Sequence, residues 1–279
     1  MLITFILVLL SAFFSTLYTV IATAINHLSL SFMFLWIPLG ILTSVILILL
    51  WVLFLIYVLF PILKPGSIIL QKLEYPLVCF ANRLAGIHLK VEGRENIPPA
   101  PFVIYANHKS MLDITIIYEA LNRPISAIAK KELGNVPVLK TLIKDQYVQL
   151  VDRENDMAAV KSLIKAMKYV KDGLSYFIFP EGGIKTRETE LMTELRPGAY
   201  KLAIKPGATI LPVSIIGSSQ LATRSFKKRT NIKVIFHKPI TKEEYCEKFI
   251  NPEVSKEVNT KELGQYVQDI INEGVENEK

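Results

Sequence analysis

Residues 1–63 contain no Lys, Arg, Asp or Glu, and Lys64 is the first charged side chain. The 32 Lys or Arg residues, the 25 Asp or Glu residues and the formal net charge of +7 therefore all belong to residues 64–279. A helix that lies on a membrane surface would carry a charged face, and this stretch has none. The sequence predicts a membrane anchor in residues 1–63, followed by a basic domain that faces water.

Two apolar stretches make up the predicted anchor, residues 2–25 and residues 32–63. Each is longer than the roughly 20 residues with which a helix spans a hydrocarbon core. The polar link at residues 26–31 is typical of a turn, so the pair predicts a transmembrane helical hairpin. A signal peptide is the competing interpretation of the first stretch, but the basic start and the small-residue cleavage site that it needs are not evident.

The charge distribution also predicts where the basic domain lies. Because basic residues beside a membrane span mark its cytoplasmic side, we expect an integral protein of the cell membrane whose basic domain faces the cytoplasm. Pro38 and Pro61 leave a second topology open, in which the hairpin enters the bilayer without crossing it. The cysteines, Cys79 and Cys246, are too few for a disulfide framework, which fits a reducing compartment. Next to an anchor, the basic excess suits anionic headgroups or phosphorylated substrates rather than nucleic acid.

Beyond the anchor, short apolar runs alternate with helical patterns. Continuous apolar runs are typical of strands that are covered on both faces. Asp156–Lys171 is the clearest helix, with Asn155 or Asp156 as its N-cap and Gly173 at its end. The alternation predicts an α/β domain with a central mixed, largely parallel sheet. The predicted strands are residues 101–107, 125–129, 147–151, 175–179, 210–216 and 232–237.

These patterns divide the chain into four parts. The anchoring hairpin occupies residues 1–63, and a connecting region with an amphipathic helix near Ile68–Leu84 occupies residues 64–100. The catalytic α/β domain is predicted at residues 101–240, and a tail of polar helices follows at residues 241–279.

The first candidate site is "NHKSMLD", residues 107–113, directly after a predicted strand. If the chain turns into a helix between His108 and Asp113, the carboxylate can bond one imidazole nitrogen and raise the basicity of the other. Such a pair can remove a proton from a substrate hydroxyl. Taken alone, such a pair more often is a helix-capping His beside a first-turn Asp. Ser110 lacks the glycine-flanked elbow of a nucleophilic Ser, and no other His or Cys lies at zinc-ligand spacing.

The second candidate site is "FPEGGIKTR", residues 179–187, which follows another predicted strand. Gly182 and Gly183 permit a tight turn with exposed backbone N–H groups. Lys185 and Arg187 can then meet a phosphate, the Arg through two parallel hydrogen bonds. Taken alone, the segment also fits an exposed charged turn.

Together the two segments resemble the 1-acyl-glycerol-3-phosphate acyltransferase family of glycerolipid acyltransferases. The hallmark of that family is N-H-x-x-x-x-D followed by F-P-E-G, and here Glu181 follows His108 by 73 residues. The resemblance covers about residues 75–240 and includes the weaker matches "AKKEL", "VDR", "RPGAYKLA" and "LPV". It implies the acyltransferase fold, with the anchor holding the enzyme at the membrane where its substrate and product reside.

The resemblance also implies roles for individual residues. His108 matches the general base of the family and Asp113 its orienting partner. The residues that match its substrate-binding positions are Lys130 and Arg153 for the acceptor phosphate, and Glu181 and Gly182 for the shape of the acceptor pocket. The third block of the family continues Thr-Arg after Gly, where this chain has Gly183 and Ile184. We therefore expect Arg187 to take over the phosphate contact, or the acceptor to differ.

The implied reaction moves a fatty acyl group to the sn-2 hydroxyl of lysophosphatidic acid and yields phosphatidic acid. The donor is an acyl thioester, acyl-CoA or acyl carrier protein, which acts as a co-substrate; no metal and no bound cofactor is implied. Two alternatives stay open: an acyltransferase for another lysophospholipid or for glycerol-3-phosphate, and a catalytically silent lipid-binding protein of the same fold.

Overall fold

The computed structural model describes residues 9–10, 12–18, 20–21, 24, 33–63, 67–135, 143, 147–152, 155–224, 228–250 and 257–278. The chain divides into two compact units, Met1–Leu63 and Lys64–Lys279. We describe each unit by itself.

The first unit is built around helix α1, Met33–Phe54. A π-helical turn at Leu55–Leu59 and a 3-10 turn at Phe60–Ile62 extend it. Within the described part of the chain, Pro38–Ile62 is the one helix long and apolar enough to cross a bilayer. Neither predicted breakpoint interrupts this helix, since Pro38 lies inside α1 and Pro61 lies in the closing turn.

The first stretch of the predicted hairpin falls only partly on described residues. Residues 12–18 are helical, and the Tyr18 hydroxyl lies 2.8 Å from the Thr43 hydroxyl of α1. The predicted turn at residues 26–31 lies outside the described residues.

The second unit is an α/β domain with a seven-stranded sheet in the order β1-β7-β6-β2-β5-β3-β4. Every neighbouring pair is parallel except β6 and β7. The prediction of a mixed, largely parallel sheet is thus confirmed. The strands are β1 (Ile87–Glu92), β2 (Phe102–Ala106), β3 (Ser126–Lys130), β4 (Gln149–Val151), β5 (Tyr176–Ile178), β6 (Thr209–Ile216) and β7 (Thr230–Phe236).

Helices cover both faces of the sheet and form two apolar cores. On one face, α3 buries Ile116, Ile117 and Ala120 against the strands. On the other face, Ala166 and Val170 of α4 and a row of residues from α7 form the second core. The helices of this unit are α2 (Ile68–Leu84), α3 (Asp113–Leu121), α4 (Asp156–Lys171), α5 (Lys201–Ile204), α6 (Lys242–Phe249) and α7 (Thr260–Glu276).

Strand β1 is not among the predicted strands. It lies in the stretch assigned to the connecting region and pairs along its whole length with β7. It is an edge strand with a partly exposed face, and its residues alternate between apolar and polar types, unlike the continuous apolar runs of the central strands. The sheet therefore begins upstream of residue 101.

The topology positions the candidate site. β2, β5, β3 and β4 are neighbours and run parallel, so their carboxyl ends lie at one edge of the sheet. The segments that follow β2 and β5 are the two candidate loops. Loops at the carboxyl ends of adjacent parallel strands converge, which is where sites form in open α/β sheets.

Candidate active site

The side chain of Asn107 fixes the start of the first loop. Its Nδ2 donates to the Ile215 carbonyl at 2.7 Å and to the Glu190 carbonyl at 2.8 Å, and its Oδ1 accepts from Ile215 N at 2.8 Å. The amide thus continues the hydrogen bonding between β2 and β6 after the backbone of β2 has ended. This defines the position from which the next residue, His108, projects.

Asp113 organises the loop from its place at the start of α3. Its Oδ2 lies 3.0 Å from His108 Nδ1 and accepts hydrogen bonds at 2.8 Å from the backbone N–H groups of Lys109 and Ser110. The side chain is fully buried. The loop therefore wraps around one carboxylate oxygen, because this oxygen satisfies two backbone donors that would otherwise lack partners.

This geometry sets the tautomer of His108. A carboxylate only accepts hydrogen bonds, so the proton on the bonded imidazole lies on Nδ1 and Nε2 keeps its lone pair. The ring also stacks on Phe179, with centroids 4.0 Å apart and planes within 7°. His108 is thus held from two sides as an oriented base, which is the arrangement of a general base with a positioning carboxylate.

Glu181 joins the second loop to the first. Its Oε1 accepts from His108 N at 2.8 Å, and its Oε2 accepts from Lys109 Nζ at 3.2 Å. The side chains of Lys109 and Glu181 have no exposed surface. A buried charge is costly unless it is paired. The ion pair therefore ties the "FPEG" loop to Lys109, and the Oε1 hydrogen bond ties it to the backbone of His108.

Gly182 allows the second loop to turn. Its φ is +71°, in the left-handed region that favours glycine, and its N–H donates to the Phe179 carbonyl at 3.1 Å. A Cβ at this position would overlap Nε of Arg196. Arg196 N in turn donates to the Pro180 carbonyl at 3.0 Å. The exposed Arg196 side chain therefore lies directly over the glycine turn.

The remaining predicted cations differ in their surroundings. Arg187 Nε donates to the Lys109 carbonyl at 3.2 Å, so its guanidinium contacts the loop that carries His108. Lys185 pairs with Glu194 at 2.7 Å. Lys130 ends β3 at the site edge, exposed and 3.3 Å from Glu132. Arg153 lies outside the described residues.

An apolar cavity of about 730 Å³ opens beside the second loop. Phe179, Pro180 and Gly182 contribute to its wall, and so do Arg196 and residues of α4, β3 and β4. Its volume lies within the roughly 300–1,000 Å³ of small-molecule sites, and an apolar lining with a few polar groups is typical of them. The cavity therefore suits a hydrocarbon chain, and Phe179 in its wall stacks on His108.

Glu190 forms hydrogen bonds with Asn107 and with Ser219. Its carbonyl accepts from Asn107, while its Oε1 accepts from Ser219 N at 3.1 Å and from Ser219 Oγ at 2.6 Å. Burial raises the pKa of the Glu190 carboxyl, and the nearby Asp113 carboxylate raises it further. The Glu190 side chain therefore links the segment that follows β5 to Ser219, in the turn that follows β6.

Three residues of the site received no individual role from the sequence patterns. Asn107 and Lys109 belong to "NHKSMLD", but an amide that continues a sheet and a lysine that is fully buried leave no periodic signal. Arg196 belongs to the "RPGAYKLA" segment, and only the fold brings it over Gly182. Its one sequence signal is that it is the first residue of that matched segment.

Comparisons with known proteins agree with this geometry. A family model described as Acyltransferase matches residues 88–216. A probable 1-acyl-sn-glycerol-3-phosphate acyltransferase of Mycoplasma genitalium is 29% identical over 226 residues, 75% of this chain and 78% of that protein. A protein of the same name from Mycoplasma pneumoniae is 30% identical over 186 residues, 61% of this chain and 68% of its own length.

Among solved structures, the chain is similar to the 1-acyl-sn-glycerophosphate (LPA) acyltransferase PlsC from Thermotoga maritima. The two share 26% identity with a TM-score of 0.60, and the match covers 75% of this chain and 79% of the other. Motifs, fold and relatives thus lead to one conclusion: the chain is an acyltransferase and belongs to the 1-acyl-sn-glycerol-3-phosphate acyltransferase family.

Proposed function

We propose that the protein transfers a fatty acyl group from an acyl thioester to the sn-2 hydroxyl of lysophosphatidic acid and releases phosphatidic acid. The observation that carries this proposal is the 3.0 Å contact of His108 Nδ1 with Asp113 Oδ2, which leaves Nε2 of a nearly buried imidazole as a base. Such a base needs a substrate that supplies its own nucleophile, and a lipid hydroxyl is one.

The imidazole of His108 takes up a proton in the first step of the reaction and returns it in the second. Nε2 takes the proton of the hydroxyl while the oxygen forms a bond to the thioester carbonyl carbon. As the tetrahedral intermediate collapses, the carbon–sulfur bond breaks and the imidazolium returns the proton to the leaving thiolate. Asp113 stabilises the positive charge that His108 carries between these steps.

The guanidinium groups of Arg187 and Arg196 are the groups that we assign to the acceptor phosphate. Arg187 contacts the backbone of the His108 loop, and Arg196 lies over Gly182 at the wall of the cavity. Arg pairs with phosphate through two parallel hydrogen bonds, which also orient the rest of the lipid. Lys130, at the same edge of the sheet, adds positive charge.

The apolar parts of the substrates suit the rest of the molecule. The cavity beside Phe179 takes a hydrocarbon chain, and the bilayer-length helix Pro38–Ile62 acts as a membrane anchor. The names of the relatives give a 1-acylated glycerol phosphate as the acceptor. An anchored enzyme can meet such a lipid in the membrane without extracting it into water.

A thiol-release assay tests this proposal. The purified full chain in mixed micelles receives acyl-CoA or acyl carrier protein as donor and, as acceptor, lysophosphatidic acid, lysophosphatidylcholine, glycerol-3-phosphate or none. We expect thiol release that depends on lysophosphatidic acid. Faster release with glycerol-3-phosphate or lysophosphatidylcholine would overturn the assigned acceptor, and release with no acceptor or none at all would overturn the transfer reaction.

A further inference from the structure

Helix α4 presents an apolar stripe to water. Met157, Val160 and Ile164 lie at helical spacing, and their exposed fractions are 77%, 54% and 58%. A helix of a globular domain normally places polar residues on its outer face. A contiguous group of large exposed apolar side chains instead marks a surface that contacts a partner or a membrane.

The topology places this stripe at the active-site edge. The chain leaves the carboxyl end of β4, forms α4 and returns to the start of β5, and β4 and β5 point in the same direction. The amino-terminal half of α4, which carries Met157 and Val160, therefore lies at the edge where His108 and Glu181 emerge.

The stripe is continuous with the mouth of the apolar cavity. Val160 and Ile164 belong both to the exposed stripe and to the cavity wall, and Leu163 and Met167 extend that wall along the same helix. A molecule that enters the cavity along this wall passes over the stripe. The two features thus form one apolar surface that runs from the outside of α4 to the neighbourhood of Phe179.

The charges around the stripe have one predominant sign. Helix α4 contains four lysines and a single acidic residue, Asp156. Further exposed cations, Arg196 and Lys201 among them, also line the cavity. The exposed lysines of α4 are Lys161, Lys165, Lys168 and Lys171.

We propose that α4 docks the catalytic domain on the surface of a bilayer that contains anionic lipids. Met157, Val160 and Ile164 enter the boundary between headgroups and acyl chains, and the surrounding lysines contact the headgroup phosphates. Long lysine side chains can lie along apolar surface while their ammonium groups stay with the headgroups. An apolar stripe whose exposed charged neighbours on the helix are lysines fits a fluid anionic surface better than a protein, whose recognition needs matched polar partners.

This docking goes beyond the anchoring helix and does not depend on the reaction. One consequence rests on the proposed function: with its mouth on the bilayer, the cavity can receive a lysolipid laterally from the membrane.

Fluorescence in vesicles tests the docking without any activity measurement. In a background with Cys79→Ser and Cys246→Ser, the full chain carries one cysteine, either Met157→Cys or the control Lys261→Cys on the exposed face of α7. Each cysteine is labelled with an environment-sensitive dye. The protein is then reconstituted in phosphatidylcholine vesicles with or without phosphatidylglycerol, and with or without a quencher attached to the lipid.

We expect the dye at residue 157 to shift to shorter wavelength and to be quenched by the lipid quencher when phosphatidylglycerol is present, while the dye at residue 261 responds to neither. Adding Lys161→Glu, Lys165→Glu and Lys168→Glu to the Met157→Cys protein should remove that response. A water-like dye at residue 157 in all vesicles would overturn the proposal. A dye at residue 157 that is shielded from water but is not quenched by the lipid quencher would also overturn the proposal, because that result would mean that the stripe contacts protein rather than lipid.

Discussion

Nζ of Lys109 lies 3.2 Å from Oε2 of Glu181, and both side chains are fully buried. Lys109 follows His108 in sequence, and Glu181 accepts a hydrogen bond from the backbone N–H of His108. The ion pair therefore connects the two motif loops directly beside His108 and is closed off from solvent. It assigns the glutamate of "FPEG" a positioning role that acts through the backbone of His108.

Breaking this pair should destabilise the protein strongly. Lys109→Met leaves the Glu181 carboxylate buried without its partner, which we expect to lower the free energy of unfolding by about 3–5 kcal/mol. The matched control is Lys185→Met, which removes a partly exposed pair and should cost about 1 kcal/mol or less. Urea unfolding followed by circular dichroism in detergent measures both. Equal losses in the two variants would show that the buried pair is not a structural link.

Removing either guanidinium should weaken acceptor binding. Loss of a charge-assisted contact to phosphate costs about 1.5–3 kcal/mol, so Arg196→Ala and Arg187→Ala should each raise the KM for lysophosphatidic acid by about 10- to 100-fold. Lys185→Ala, whose ammonium pairs with Glu194, should change that KM little. Steady-state kinetics with lysophosphatidic acid as the varied substrate measure all three. If all three variants had the same KM for lysophosphatidic acid, the assignment of the phosphate site would be contradicted.

A methyl group at Gly182 should impair catalysis more than stability. Gly182→Ala and Gly173→Ala both force alanine into the left-handed region, at a cost of about 1–2 kcal/mol. A Cβ at Gly173 meets open space, whereas a Cβ at Gly182 displaces Arg196. We expect Gly182→Ala alone to lower kcat/KM, on the order of 10- to 100-fold. Steady-state kinetics and urea unfolding of both variants test this prediction. An equal loss of kcat/KM in Gly173→Ala and Gly182→Ala would contradict it.

Acid should destabilise the domain through His237. The Ser214 hydroxyl donates to the Ile271 carbonyl and lies 2.7 Å from His237 Nε2, so it accepts the Nε2 proton of a neutral ring. Burial lowers the pKa of His237 below its ordinary value of 6.5. The unfolded chain therefore binds the extra proton first as the pH falls. The contribution of neutral His237 to stability is therefore complete above pH 6.5, the ordinary pKa of the unfolded chain. It decreases as the pH falls from there towards the lower pKa of the folded protein.

His237→Gln should reduce this dependence on pH. The wild-type protein is expected to lose at most about 1.4 kcal/mol per pH unit through this group, and the variant should lose less over the same interval. His88→Gln, at an exposed position of β1, is the control and should leave the slope unchanged. Urea unfolding at a series of pH values measures the slopes. An unchanged slope in His237→Gln would contradict the assignment.

The sequence patterns predict the regular elements well where burial is periodic. Helix α4 has the predicted bounds because its apolar residues recur at helical spacing and Asn155 caps it, accepting from Ala158 N at 3.0 Å. The edge strand β1 escaped prediction because its pattern resembles that of a solvated segment. Continuous apolar runs predict central strands, and their parallel direction then predicts that His108 and Glu181 meet.

The finer features of the site depend on burial, which a single sequence does not reveal. Lys109 looks like a surface charge in "NHKSMLD" and is buried only because Glu181 meets it across the loops. Arg196 lies 14 residues after Gly182 in the chain, and the fold brings the two into contact. Both relationships arise from the tertiary structure rather than from local pattern.

The central claim is that His108 is the general base of acyl transfer to lysophosphatidic acid, and its direct test is phosphatidic acid formation by His108→Ala. The full-length variant, wild type and the control His88→Ala receive an isotope-labelled acyl thioester and lysophosphatidic acid, and mass spectrometry quantifies labelled phosphatidic acid. Loss of a general base should lower the rate by about 10²–10⁴-fold, while His88→Ala keeps the wild-type rate. Phosphatidic acid formed by His108→Ala at the wild-type rate would contradict the claim.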